Sequence, residues 1–155
     1  MAGPTISVLL RFEPDQSTEE LVQAYLAQCA DHLRPGSRTF SVGGCTLLYA
    51  FGPDYPEELA HYAGLLKLLD WNPRGILNLA AMGNDLPDHQ RLGEVALDMT
   101  RRLDGVVAFG GRIGAYTADA VFLSRLAVLE HEGESLFSAG DFERWLQHAD
   151  FRLVK

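Results

Sequence analysis

Between Thr5 and Met82 the apolar residues switch repeatedly between a period of two and a period near 3.6, and this alternation limits the possible folds more tightly than any motif. "TISVLLRF" (Thr5 to Phe12) mixes β-branched and apolar residues with Ser7 and Arg11 and stops at Glu13 and Pro14, as a strand does. "STEELVQAYLAQCADHL" opens on a capping box, Ser17 to Glu20, and sets Leu21, Val22, Tyr25, Leu26, Cys29 and Leu33 on one helical face. Arg38 to Val42 and Cys45 to Phe51 are strand-like runs parted by Gly43 and Gly44, which supply the positive φ of a hairpin turn. Asp54 ahead of Pro56 starts a second helix with Leu59, Ala63, Leu66 and Leu69 on its apolar surface, and Gly75 to Met82 reads as a buried strand. Strand, helix, hairpin, helix, strand is the split βαβ order of ferredoxin-like sheets. The expected fold is therefore α+β: a mixed or antiparallel sheet with a ferredoxin-like N-terminal half and helices packed on it.

The pattern continues to the other end of the chain. A third helix from Pro87 to Leu103 turns Leu92, Val95, Ala96, Met99 and Leu103 inward, carries Arg101 and Arg102 in its last turn, and precedes the strand "GVVAFGG". "RIGAYTADAVF" has no definite period. "SRLAVLEHEGESLFS" then gives two strand-like runs around Glu132, Gly133 and Glu134, a second hairpin. Ser138 and Asp141 cap a short helix striped with Phe142, Trp145, Leu146 and Ala149, and "DFRLVK" is expected to return as an edge strand. With 155 residues and no repeat, linker or low-complexity tract, residues 1–155 are expected to form a single globular domain.

Composition narrows the functional classes. The chain is 47% hydrophobic and 22% charged, has no apolar run of the roughly 20 residues a bilayer span needs, and begins without the pattern of a signal peptide, so a cytoplasmic protein is expected. Cys29 and Cys45 form no CxxC and have no His pair at metal-ligand spacing, which makes them buried thiols. Thirteen Lys and Arg against twenty-one Asp and Glu give a formal charge of −8, which repels phosphate backbones and favours a basic partner. No nucleic acid, membrane or cofactor is expected.

The densest group of chemically capable side chains lies in "NLAAMGNDLPDHQRLGEVALDMTRR". Asp85 or its neighbour caps the third helix, Pro87 takes its first position and Asp88 its first turn, where carboxylates complement free backbone N–H groups. Capping does not require His89, so Asp85, Asp88 and His89 also form the candidate site of a small enzyme or ligand-binding domain. The acids Glu130, Glu132, Glu134 and Asp141, with His131, match no EF-hand spacing and read as a solvated hairpin tip able to engage a basic partner. "FGGRIG" lacks the phosphate-loop pattern and reads as a turn, and His32, His61 and His148 read as surface or helix-end residues. GxSxG, HExxH and Walker sequences are absent, so the chain is not expected to be an enzyme. Tyr55, Tyr62, Trp71, Tyr116 and Trp145 are the aromatic reserve, with Trp71 in "LDWNPRG" the foremost anchor candidate.

The block "LAAMGNDLPDHQRLGEVALDMTRRLDGVVAFGG" and the terminal "DFERWLQHADFRLVK" resemble a family of small uncharacterised bacterial proteins, some of them immunity proteins for polymorphic toxins. Asp88, His89, Phe109, Gly110, Gly111, Phe151, Val154 and Lys155 carry the resemblance over roughly residues 75 to 155, and Ala115 to Val128 departs from it. The resemblance implies no catalytic motif. With the charge, it yields the expectation of a cytoplasmic immunity protein that blocks a basic surface or active-site cleft of its toxin. The residues expected at that interface are Trp71, Asp85, Asp88, His89, Glu130, Glu132 and Glu134, with no metal and no set oligomeric state.

Overall fold

In the computed structural model, which describes residues 3–155, the period-two runs become strands and most of the 3.6-period runs become helices. In chain order these are β1 (Thr5–Leu10), α1 (Gln16–Cys29), β2 (His32–Leu33), β3 (Thr39–Val42) and β4 (Cys45–Gly52). The short helices α2 (Pro56–Ala60) and α3 (Leu66–Leu69) follow, then β5 (Gly75–Ala81), α4 (Leu86–Arg102) and β6 (Val106–Ala108). The chain ends with α5 (Ala120–Ser124), β7 (Leu129–His131), β8 (Glu134–Phe137) and α6 (Ala139–Leu146).

All eight strands join one sheet in the order β2-β3-β4-β5-β1-β6-β8-β7. Every pairing is antiparallel. Alternate strands therefore run the same way: β1 and β4 are parallel with β5 between them, and β5 and β6 are parallel with β1 between them. These are two interlocked split βαβ units, crossed by α1 and α4, so the ferredoxin-like core is β4-β5-β1-β6. The α+β class agrees with the sequence expectation, but the ferredoxin-like core is not confined to the N-terminal half: it takes in β6, and its second crossover is α4 and not residues 56–71.

Residues 56–71 do not form one helix. They break into α2, a 3₁₀ turn at Ala63–Leu65, and α3, which Asp70 ends in the left-handed region at φ 63°. Gly64 interrupts the pattern, and the residues that need burial are Tyr62 and Leu65, not Ala63 and Leu66 as a single stripe requires. These two side chains join Leu9, Ile76, Ala108 and Leu136 on the sheet face opposite the long helices. Pro56 holds Tyr55 extended at the N-cap, so Asp54 does not cap α2; its N–H instead donates to the Glu58 carboxylate at 2.8 Å.

The larger core lies on the other face, where Ile6, Val8 and Leu10 of β1 meet Val22 and Leu26 of α1, Val95 and Ala96 of α4, and Phe142 and Trp145 of α6. The period of two sends Leu9 to the opposite face, which buries the centre of the sheet on both sides. The α4 stripe is buried as expected. The cap of α1 is Asp15, not Ser17: its carboxylate accepts the Thr18 N–H at 2.9 Å while the Thr18 hydroxyl accepts the Asp15 N–H at 3.2 Å. Gly43 and Gly44 turn the β3–β4 hairpin with φ of 58° and 79°, and Ser138 caps α6 as expected.

The terminal "DFRLVK" forms no strand. It joins neither edge of the sheet, which β2 and β7 form. The segment plugs the larger core instead: Phe151 and Leu153 are buried, the Trp145 indole donates to the Arg152 carbonyl at 3.2 Å, and the Val154 carbonyl accepts the Thr5 N–H at 2.9 Å. Among the described residues no helix is long and apolar enough to cross a membrane.

Candidate functional site

At the start of α4 the two acids serve the helix. Asp85 is the N-cap residue: the Asp88 carboxylate accepts its N–H at 2.9 Å, and its backbone carbonyl accepts the Asp88 N–H at 3.0 Å. His89 faces another way, 4% exposed, and its Nδ1 accepts the Leu153 N–H at 2.9 Å. It is the clasp for the terminal segment, joining residues 64 positions apart in sequence. Accepting through Nδ1 puts the proton of the neutral ring on Nε2. Burial, then the charges of Arg152 and Lys155, hold the His89 pKa below its usual 6.5, so the ring stays neutral.

Protonation of His89 thus favours the unfolded chain, whose imidazole keeps the ordinary pKa. Its stabilising contribution is complete above about pH 6.5 and is lost as pH falls through the lower folded-state value. His89→Ala leaves the buried Leu153 N–H unpaired and should cost about 1 to 3 kcal/mol. His89→Asn offers an oxygen close to the position of Nδ1 and should recover part of that loss while abolishing the acid-side slope. Urea unfolding at several pH values checks both expectations.

Trp71 is half-buried against the smaller core, with the Arg11 guanidinium 4.7 Å above its ring. It closes an edge of that core more than it projects from it. The acids of the β7–β8 hairpin divide by strand alternation. Glu130 lies opposite Ser135, whose hydroxyl donates to its carboxylate, and Arg112 stands 3.9 Å from it. Glu134 lies opposite His131 and is 7% exposed, whereas Glu132 occupies the turn.

The hairpin meets the 56–71 segment in a cluster of His61, Tyr62, His131, Glu132 and Glu134. His61 Nδ1 is 3.0 Å from Glu132 and its Nε2 is 3.5 Å from Glu134. The His61 ring sits edge-on to Tyr62 at 4.8 Å, and His131 stacks on Tyr62 at 6.3 Å. The buried Tyr62 hydroxyl has its pKa raised, by desolvation first and by the neighbouring Glu134 charge second. One donor atom each from His61, His131 and Glu132 lie within 4.8 Å of one another, close enough for small side-chain shifts to bring them onto one cation. In sequence His61 is a surface or helix-end residue with no cysteine or histidine at i+4; His131 lies 70 positions away, a distance only the topology of the sheet closes.

The 56–71 segment and its approach also carry the most exposed apolar groups near these acids. Tyr55 is 71% exposed, Leu66 50% and Leu68 48%, beside exposed Asp54, Glu57 and Asp70. A separate cleft of about 450 Å³ at the start of α4 is lined by Asn84, His89, Tyr116, Arg152, Leu153 and Lys155.

The model of DUF6368, a family of unknown function, matches residues 2–155. No curated protein and no solved structure matches the chain.

Proposed function

The chain belongs to the DUF6368 family of unknown function, and from that premise we propose that it is a cytoplasmic immunity protein that binds and neutralises a cognate bacterial toxin. The observation that carries this reading is the pairing of exposed anchors with acids on one segment: Tyr55, Leu66 and Leu68 among Asp54, Glu57, Glu58 and Asp70. A Tyr or Leu exposed in this way gains from burial against a partner, and the surrounding carboxylates select a basic one. The net charge of −8 extends the same preference over the whole molecule and steers a basic partner during encounter. The occupant is a basic surface or substrate cleft of the toxin, and an interface of ordinary size covers about 800 Å² of this chain.

Trp71, Glu130 and the pair Asp85 and Asp88 are engaged within the fold, so the interface proposed here rests on Tyr55, Leu66, Leu68 and the acids around them, with Glu132 at its border. Co-expression with the product of the adjacent gene tests the proposal. A complex that survives purification is expected, and a product that elutes alone would contradict it.

A second reading, a ligand-binding domain at the start of α4, is favoured by the cleft there, which Arg152 and Lys155 line together with His89. Capping by Asp85 and Asp88 leaves His89 as the one member of that triad facing the cleft. Thermal stabilisation by inorganic phosphate, lost in Arg152→Ala, would favour this reading; an unchanged melting curve would remove it.

A further inference from the structure

We propose that His61, His131 and Glu132 form a binding site for a divalent cation of borderline softness, Zn²⁺ foremost, with Glu134 orienting His61. The three residues come from the end of α2 and from the tip of the β7–β8 hairpin, and sheet order alone brings them together.

The protons assign the donor atoms. His131 Nε2 stands 2.7 Å from the His61 carbonyl, and a carbonyl oxygen only accepts, so Nε2 carries the hydrogen and Nδ1 of the neutral ring keeps its lone pair. His61 lies between two carboxylates. Glu134 is more than nine-tenths buried; one of its oxygens accepts the Gly110 N–H at 3.1 Å, and the other, Oε1, has no hydrogen-bond partner and faces His61 Nε2 at 3.5 Å. A hydrogen on Nε2 answers that buried oxygen. In the neutral ring the Nδ1 lone pair then faces the Glu132 carboxylate at 3.0 Å, acceptor against acceptor, until a proton or a metal cation stands between them.

The distances suit that cation. Two donors at about 2.0 to 2.1 Å from a tetrahedral Zn²⁺ lie about 3.3 Å apart, close to the 3.0 Å separation of His61 and Glu132. One ring nitrogen of His131 lies within 4.8 Å of the other two donor atoms, wider than the tetrahedral spacing, and the 40% and 62% exposure of the His61 and Glu132 side chains leaves them free to close on an ion from solvent. Two imidazoles and a carboxylate suit Zn²⁺ and disfavour Ca²⁺ and Mg²⁺, which take oxygen donors. A carboxylate behind one imidazole and a backbone carbonyl behind the other are the outer partners that fix metal-binding histidines.

The turn adds an independent observation. Glu132 and Gly133 have φ of 44° and 92°, a two-residue hairpin turn in which Asn, Asp or Gly is the favoured first residue. Glu is a poor choice for the backbone there, and its carboxylate gives it a role the turn does not supply.

Protein stripped with a chelator and titrated with Zn²⁺ by calorimetry tests the site, with a chromophoric chelator as competitor. The expected result is one equivalent bound, and a melting temperature raised by roughly 5 to 10 °C at a hundredfold excess over Kd. His61→Ala and His131→Ala should abolish binding, and Glu134→Gln should weaken it by about 10- to 100-fold. Glu132→Asn separates binding from folding: Asn suits the turn, so the metal-free protein should melt no lower, yet its Zn²⁺ affinity should collapse. No Zn²⁺ binding, full binding by both histidine variants, or tighter binding of Ca²⁺ than of Zn²⁺ would overturn the proposal.

Discussion

Trp145→Ala should lower the free energy of unfolding by about 3 to 5 kcal/mol, the usual range for removing a buried tryptophan. The indole is fully buried and stands edge-on to Phe109 at 6.4 Å, tilted against Phe122 at 5.9 Å and against Phe151 at 5.7 Å. It also fixes the terminal segment through the Arg152 carbonyl. Its removal therefore opens a cavity and unseats Phe151 and Leu153 together. A domain of this size is stable by about 5 to 15 kcal/mol, so the variant should retain a fold with its melting temperature lowered by roughly 6 to 20 °C. Trp145→Phe should fall between, because it restores part of the packing but not the donor. Calorimetry or urea unfolding checks both, and a loss below about 1 kcal/mol would mean that α6 and the terminal segment do not close the core together.

The second large effect concerns binding. Tyr55→Ala combined with Glu57→Lys should weaken the complex with the toxin by at least about 2 kcal/mol, or roughly thirtyfold, since a central tyrosine and a reversed charge act on the same contact. The fold should be little affected. Tyr55 is 71% exposed and Glu57 is also exposed, and surface substitutions of this kind usually change stability by about 0.5 kcal/mol or less. Raising the ionic strength should slow association of the native chain more than it speeds dissociation, because the −8 field steers encounter. Val121→Ser serves as a control: Val121 is 61% exposed but lies on α5, outside the proposed face, and its replacement should leave affinity unchanged. Calorimetric titration of the three proteins against the toxin distinguishes a defined face from general acidity.

The fold was legible wherever local pattern and tertiary need agree. The α4 stripe, the Gly43–Gly44 hairpin, the Glu132–Gly133 hairpin and the Ser138 cap are written in period, turn chemistry and capping residues. Residues 56–71 misled because their apolar groups face two ways: Tyr62 and Leu65 serve the sheet while Leu66 and Leu68 remain exposed, a division no single helical stripe expresses. "DFRLVK" has the composition of a strand, but Phe151 and Leu153 are taken into the larger core instead of a sheet edge, and that burial is not a local property. The same limit hid the histidine cluster. His61 is an ordinary helix-end residue in sequence and acquires Glu132, Glu134 and His131 only when β7 and β8 are added beyond β6. His89, by contrast, stood out in the sequence as a residue that capping did not need, and its partner proved to be the backbone of Leu153.

The most direct test of toxin neutralisation is the growth of cells expressing the adjacent gene's product, with and without this chain. The account predicts arrest without it, recovery with the native chain or Val121→Ser, and arrest again with the Tyr55→Ala/Glu57→Lys variant at equal soluble abundance. Arrest that the native chain does not relieve, or recovery as complete with Tyr55→Ala/Glu57→Lys as with the native protein, would contradict it.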